Sequence, residues 1–320
     1  MSITVIIVNW NGGDLLRRCL SHLQMQSYPP RRILLMDNGS SDGSAQLAAQ
    51  APGVTVRYLN DNLGFAAANN RALDECDTEW VALLNPDALP DKDWLLNLMK
   101  ATEQHPAISV FGSKQMQLET PDKIDGKGDI YHISGLLWRD GYGKTQSGSG
   151  DVGQAIFSPC ACAAFYRLSV LKQVGGFDED FFCYVEDVDL GFRLQLNNYP
   201  ARYVPEATVY HAGSASTGGQ RSDFSIYHGH RNMVWAFVKN MPGILFWLLL
   251  PLHAALNIVS VLYFSRQGQA NIIVKAKKDA LNGLPNMWRK RRIVQAQRTA
   301  SILKIWRLLD KSLLLSRSRR

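Results

Sequence analysis

The chain has 320 residues, of which 46% are hydrophobic and 20% charged, enough to bury a substantial core and too apolar for a disordered tail protein. A mean hydropathy of −0.14 excludes a bundle of membrane-spanning helices. Five cysteines without a CxxC pair exclude a disulfide-stapled miniprotein and read as reduced thiols of a cytosolic protein. The net charge of +7 is unevenly spread: residues 266–320 carry 15 Lys and Arg against 2 Asp and Glu, net +13, which leaves −6 on the rest. An acidic body with a basic tail points to a tail that meets phosphates, on a membrane or a nucleic acid. The first residues, Met-Ser-Ile-Thr-Val-Ile-Ile-Val, lack a basic n-region and a small-residue cleavage site, so no signal peptide is expected.

Residues 3–8 read as a buried strand. A helix follows with Leu15, Leu16, Cys19, Leu20 and Leu23 on one face, stopped by Pro29 and Pro30. Strands at 33–36, 54–59 and 80–84 then alternate with helices near 43–50, 65–75 and 92–103. Apolar strands alternating with helices predict an α/β fold with a mostly parallel sheet covered on both faces. Ligands of such sheets bind beyond the carboxyl ends of the strands. The residues expected there are Asn9-Trp10-Asn11, then 37–43 (Asp-Asn-Gly-Ser-Ser-Asp-Gly), 60–65 (Asn-Asp-Asn-Leu-Gly-Phe) and Asn85-Pro86-Asp87. Any one of these clusters is what a turn looks like. Four on one sheet edge point to a site. Neither GxGxxG nor GxxxxGKS/T is present, so a nucleotide would be held by side chains and a cation rather than by a glycine cradle.

Residues 106–160 are expected to be less regular, with mobile glycine-rich loops at 126–128 and 141–153, the segment 147–153 being either a lid or a plain surface loop. Cys160 and Cys162 are expected on one face of a strand, as core rather than as metal ligands. Between 178 and 189 six carboxylates (Asp178, Glu179, Asp180, Glu186, Asp187, Asp189) alternate with apolar and aromatic residues. A solvated acidic face does not need that apolar material, so the mixture suggests a partly buried general base. A helix start that favours acidic residues through its dipole is compatible with it. His211 follows an apolar strand end much as Asp87 does, which allows the two to share a metal.

Residues 243–264 are apolar over 22 positions, about 33 Å as one helix and long enough to cross a bilayer. Beyond them Ile302, Ile305, Trp306, Leu309 and Leu313 share a helical face, suited to a membrane surface, to packing on the body or to a dimer partner.

Taken together, residues 5–11, 37–43, Asn62-Leu63-Gly64-Phe65 with Asn69-Asn70, Asn85-Pro86-Asp87, Gly-Gly-Phe-Asp-Glu at 175–179, 184–190 with Arg193, and His211 resemble the inverting glycosyltransferases of family 2 in order and spacing. Within that family they are most similar to the bacterial rhamnosyltransferase-like branch that acts on lipid-linked sugars. The resemblance covers about residues 3–232 and implies the GT-A fold for residues 1–240; the apolar run and basic charge of 241–320 make it a membrane-association region. It implies donor binding by Asn9, Asp37, Asn62, Gly64, Asn85 and Asp87, with Asp37 accepting from the nucleobase. It gives Asp187 as the catalytic base, Glu186 to the acceptor, and Asp87 with His211 to Mg2+ or Mn2+ on the donor diphosphate. Arg231 is a further candidate for the diphosphate. Asn85 stands where a full DxD motif has its first Asp.

The implied partners are a dTDP- or UDP-sugar donor and a polyprenyl-diphosphate-linked saccharide acceptor at an anionic membrane surface, with no nucleic acid. Nucleotide sugars are cytosolic and the basic tail is kept inside, so a single span cannot satisfy both ends. A broken, interfacial or re-entrant 243–264 element on the cytoplasmic face, peripheral or monotopic, is therefore expected. The competing functions are a sugar nucleotidylyltransferase, whose glycine-rich signature followed by Arg and Lys is absent, and a basic-tailed nucleic-acid-binding protein, which leaves the Glu-Asp cluster without a purpose.

Overall fold

The computed structural model describes residues 1–146, 151–213 and 221–312. The first part alternates as the apolar periodicity predicts: β1 (Ile3–Asn9), α1 (Gly13–Gln24), β2 (Arg32–Asp37), α2 (Ser44–Ala48), β3 (Val54–Tyr58), α3 (Gly64–Asp74), β4 (Trp80–Leu84), β5 (Ala88–Pro90) and α4 (Trp94–Gln104). Then come β6 (Val110–Gln117), β7 (Ile124–Gly126), β8 (Asp129–Tyr131), β9 (Leu137–Arg139), β10 (Ala155–Ile156), β11 (Ala163–Arg167), α5 (Leu168–Gln173), α6 (Glu186–Leu196) and β12 (Ala201–His211). The last described stretch, 221–312, holds five helices: α7 (Asp223–Asn240), α8 (Gly243–Arg266), α9 (Ala270–Asn282), α10 (Leu284–Gln297) and α11 (Ile302–Leu308).

The central sheet runs β10-β12-β6-β11-β4-β1-β2-β3, with β5 added on β12 and β7 on β6. Only β3, β2, β1 and β4 form the expected parallel run. Beyond them β11 is antiparallel to both β4 and β6, and β6 is parallel to β12, so the sheet is mixed. Because β11 lies reversed between β4 and β6, β6 and β12 run in the direction of β4, so β12 ends on the same edge as β1, β2 and β4 and carries His211 to the edge where the polar turns lie. Ile7 packs on one side with Leu16, Leu20 and Trp94, and Ile6 on the other with Ala68, Leu73 and Leu190. Burial on both faces is why these strands are continuously apolar.

Several expectations are corrected here. Residues 106–146 are irregular as expected but hold one long strand and three short ones, β6 to β9, joined by turns, and β6 lies inside the sheet. Its polar residues Ser113, Lys114 and Gln115 hide it from an apolar-run criterion. Cys160 and Cys162 sit in the turn before β11, not in a strand, and both are buried core. Residues 147–150 of the expected lid lie outside the described residues, as does Leu313. The apolar 243–264 stretch is not broken: α8 runs through Pro251 for 24 residues, about 36 Å. Its face at Leu245, Phe246, Leu249 and His253 packs inward, whereas Ile244, Trp247, Leu248, Leu252, Val259 and Leu262 are exposed. Ile305 and Leu309 are buried against the body, and Asp310 makes an isolated β-bridge with His132. A third core cluster therefore crosses residue 240, uniting Tyr131, Phe157, Phe181 and Phe192 with Trp235, Leu245, Met287 and Ile305.

Candidate active site

The polar turns open into a cavity of about 380 Å3 at the carboxyl edge of the sheet. One wall is the set of strand ends: Trp10 after β1, Asn38 after β2, Asn62 before α3 and Gly64 at its start, and Asn85 and Asp87 after β4. Asn9 and Asp37 lie one layer behind this lining. The Asn9 amide donates to Asp37 Oδ1 at 3.1 Å and to the Ser40 and Ser44 hydroxyls at 3.0 Å, tying the β1 and β2 turns together. Asn38 is the neighbour that reaches the cavity. Its amide donates to Asn62 Oδ1 at 2.9 Å and to the Gly64 carbonyl at 3.2 Å, and its Oδ1 accepts from Leu63 N–H at 2.9 Å. The sequence placed Asn38 in the right turn, and alternation along an extended chain is the signal that separates it from Asp37.

The second wall is set by strand register. β5 pairs antiparallel with β12 so that Ala88 faces His211, which brings Asp87 and the imidazole together. His211 Nε2 lies 3.2 Å from Asp87 Oδ1, and its Nδ1 lies 2.9 Å from Asp125 Oδ2. Asp125, from β7, also pairs with Arg139. Burial pushes the Asp125 carboxyl up, but the hydrogen bond from His211 and the Arg139 charge outweigh it and leave it below the ordinary carboxylate range. Asp125 was not singled out in the sequence, because nothing local marks an acid that acts through a histidine 86 residues away.

Asp87 and His211 fit a divalent cation. Nε2 is buried with no hydrogen-bond partner among the described residues, yet it faces a carboxylate oxygen at 3.2 Å. Two ligands on one ion, with bonds of roughly 2.0–2.2 Å, lie about 3 Å apart. A carboxylate on the far nitrogen is the arrangement that fixes the tautomer of a metal-ligating histidine. No group of three or more His, Cys, Asp or Glu suited to a metal occurs among the described residues.

The third wall is the loop before α6. Phe182, Tyr184 and Val185 have φ of 65°, 65° and 70°, costly for any side chain and most of all for β-branched valine. α7 holds this loop from behind. The Asn232 amide donates to the carbonyls of Phe181, Cys183 and Tyr184 at 2.8, 3.0 and 2.7 Å. Deeper still, Lys239 meets Asp178 at 2.5 Å and Asp189 at 2.7 Å. The loop abuts the strand-end wall at Gly64, where φ is +83° and a Cβ would lie 2.6 Å from the Phe182 carbonyl oxygen.

From this loop α6 begins, placing Glu186 and Asp187 in its first turn and in the cavity lining. Asp187 Oδ2 accepts from Ala161 N–H at 3.1 Å and Oδ1 from Val188 N–H at 2.8 Å, so the carboxylate is fixed. Glu186 differs from it. Burial, then the neighbouring Asp187 charge, pushes its carboxyl well above the ordinary value, and its Oε2 has no hydrogen-bond partner among the described residues. Adjacent carboxyl groups in such different surroundings suit different roles.

Of the residues expected in the site, Asn62, Gly64, Asn85, Asp87, Glu186, Asp187 and His211 line one cavity. Arg231 does not. Its guanidinium donates to the carbonyls of Asp180 and Phe181 and lies 4.2 Å over the Trp235 ring, which makes it a brace of the strained loop. β9 supplies a part that the sequence did not signal, with Leu137, Trp138 and Arg139 in the lining.

A mixed sheet of this order, with its polar turns gathered at the carboxyl edge, is the GT-A architecture. The crystal structure of GalNAc-T7 with UDP, GalNAc and Mn2+ shares it with a TM-score of 0.60 at 14% identity, over 75% of this chain and 48% of that one. The mannosyltransferase PcManGT from Pyrobaculum calidifontis, in complex with GDP-Man and Mn2+, does so with a TM-score of 0.54 at 18% identity, over 97% and 88%. Residues 4–175 match glycosyl transferase family 2, and the chain belongs to that family. It is 29% identical over 266 residues, 74% of this chain and 84% of the relative, to the N-acetylglucosaminyl-diphospho-decaprenol L-rhamnosyltransferase of Mycobacterium tuberculosis. It is also 26% identical over 267 residues to the pre-mycofactocin glycosyltransferase of that organism, covering 80% of this chain and 54% of that one.

Proposed function

We propose that the protein is an inverting glycosyltransferase that moves rhamnose or a similar hexose from a dTDP- or UDP-sugar to a hydroxyl of a polyprenyl-diphosphate-linked saccharide. The observation that carries this reading is the convergence of Asp87, His211, Glu186 and Asp187 on one cavity. The name of the mycobacterial relative, whose substrate is an N-acetylglucosaminyl-diphospho-decaprenol, supports the lipid-linked acceptor.

In this reading Asn38, Asn62 and Gly64 frame the nucleotide, with Asn9 and Asp37 holding their turns in place. Asp87 and His211 would hold Mg2+ or Mn2+, which when bound neutralises charge on the departing diphosphate. Asp187, immobilised by two backbone N–H groups, takes the proton of the attacking hydroxyl. Glu186, whose carboxyl burial pushes up, hydrogen-bonds the acceptor and orients it. One base and direct attack on the anomeric carbon, without a covalent intermediate, give inversion.

The exposed apolar face of α8 and the basic residues of α9 and α10 would seat residues 241–320 on an anionic membrane, on its cytoplasmic face because the donor is cytosolic. Incubating the protein with a panel of nucleotide sugars, with and without Mn2+, tests the reading. Metal-dependent release of dTDP or UDP is expected. Release in excess chelator at the full rate removes the metal from the assignment, and no release from any donor removes the transferase reading.

A further inference from the structure

Building on that function, we infer that Asp129 is a sugar-hydroxyl ligand, a specificity-determining residue in the same cavity as Asp187. Asp129 opens β8, the first strand of a two-stranded hairpin separate from the central sheet, and pairs with Arg139 across it. Its backbone N–H donates to the Ser158 carbonyl at 2.8 Å, and the Ser158 hydroxyl donates to the Asp187 carbonyl at 3.0 Å. The hairpin is thus bonded to the segment that carries the base.

The Asp129 side chain lines the cavity and is 7% exposed, yet its Oδ2 has no hydrogen-bond partner among the described residues. A buried carboxyl oxygen without a partner is destabilising, and such residues persist where a ligand completes them. Glu186 Oε2 is in the same condition in the same cavity. Burial, then the Asp187 charge, pushes the Asp129 carboxyl well above its ordinary range, so it can both donate and accept. That matches a sugar hydroxyl, which also does both. Trp138, on the partner strand, lines the cavity beside these acids and offers an aromatic surface to the apolar face of a pyranose.

The sugar served is that of the acceptor or that of the donor, and kinetics separate the two. Wild type, Asp129→Asn and Asp129→Ala are compared with dTDP-rhamnose as donor probe and N-acetylglucosaminyl diphosphate on a short prenyl chain as acceptor probe. Affinity for dTDP alone and Tm are measured beside them. For an acceptor ligand, KM for the prenyl probe rises about 10- to 100-fold in Asp129→Ala. For a donor ligand, KM for dTDP-rhamnose rises instead. In both cases dTDP affinity stays within twofold, and Tm is unchanged or higher because no side-chain hydrogen bond to the described residues is lost. Unchanged KM for both substrates in both variants overturns the inference, as does a Tm loss with a uniform fall in nucleotide affinity, which marks Asp129 as structural. A wild type that releases nucleotide from no dTDP- or UDP-sugar of the panel refutes the function reading instead, and that result is visible before any variant is made.

Discussion

The two long walls of the cavity are built differently. The strand-end wall comes from residues 9–87, where each polar residue follows a parallel strand and bonds mostly to the neighbouring turn, as Asn9 does to Asp37 and Asn38 to Asn62. The wall at 178–187 has three non-glycine residues at positive φ and a buried acid, Glu186, whose Oε2 has no hydrogen-bond partner among the described residues. It is held by Asn232, Lys239 and Lys290, side chains 48 to 112 residues further along. The first wall is a consequence of sheet topology. The second is strained and keeps its shape only while the C-terminal helices are packed against it, so the third core cluster belongs to the site as much as to stability.

If that contrast is right, breaking the brace should cost more than altering the strand-end wall. The largest effect is expected from Asp178→Asn, at about 3 kcal/mol, the low end for a broken buried pair because Asp189 still faces Lys239. Burial would raise the Asp178 carboxyl, but Lys239 and Lys290 hold it well below its ordinary value. Its contribution is therefore present above the unfolded value, about pH 4, and is lost as pH falls through the folded one. Urea melts between pH 2 and 7 should show a shallower acid loss in the variant.

Next comes Asn232→Ala, which removes the donor shared by three carbonyls. A loss of about 1–3 kcal/mol is expected, with kcat falling more than nucleotide affinity. Gly64→Ala, which drives a methyl into the Phe182 carbonyl where the walls meet, should cost about 1–3 kcal/mol. Equal effects of Asn232→Ala on kcat and on nucleotide affinity would erase the distinction between the walls.

A smaller effect is expected from Glu186→Gln. Because burial raises the Glu186 carboxyl, its stabilising protonated form is present at low pH and is lost as pH rises through the raised value. The variant should match wild type only at and below about pH 4 and become relatively more stable as pH rises above it, by thermal melts. The smallest change in stability, within about 0.5 kcal/mol, is expected from Leu248→Ser on the exposed face of α8. It should nevertheless weaken retention on anionic vesicles at high salt, where the basic residues are screened.

The same contrast governs what was legible in the sequence. Strand-end residues such as Asp87 and Asn62 declare themselves because alternation and turn chemistry are local. The segment 178–189 declares itself through a charge cluster in apolar surroundings, but the choice of Asp187 within it comes from the family resemblance. The partners that give these residues their roles do not: Asp125 meets His211 through the pairing of distant strands, and Arg231 and Asn232 lie on a helix whose sequence does not reveal that it braces a loop. α8 reads as an apolar run, but that one face packs on Phe237 and Met287 is set by tertiary structure.

The account rests most heavily on Asp187, and single-turnover transfer measured with Asp187→Asn tests it most directly. The substitution keeps shape and removes basicity, so the transfer step should slow by about 10²–10⁴-fold, with nucleotide affinity within twofold of wild type and Glu186→Gln retaining most of its rate. Near-native transfer by Asp187→Asn, with the loss appearing in Glu186→Gln instead, would contradict it and move the base to the neighbouring carboxyl group.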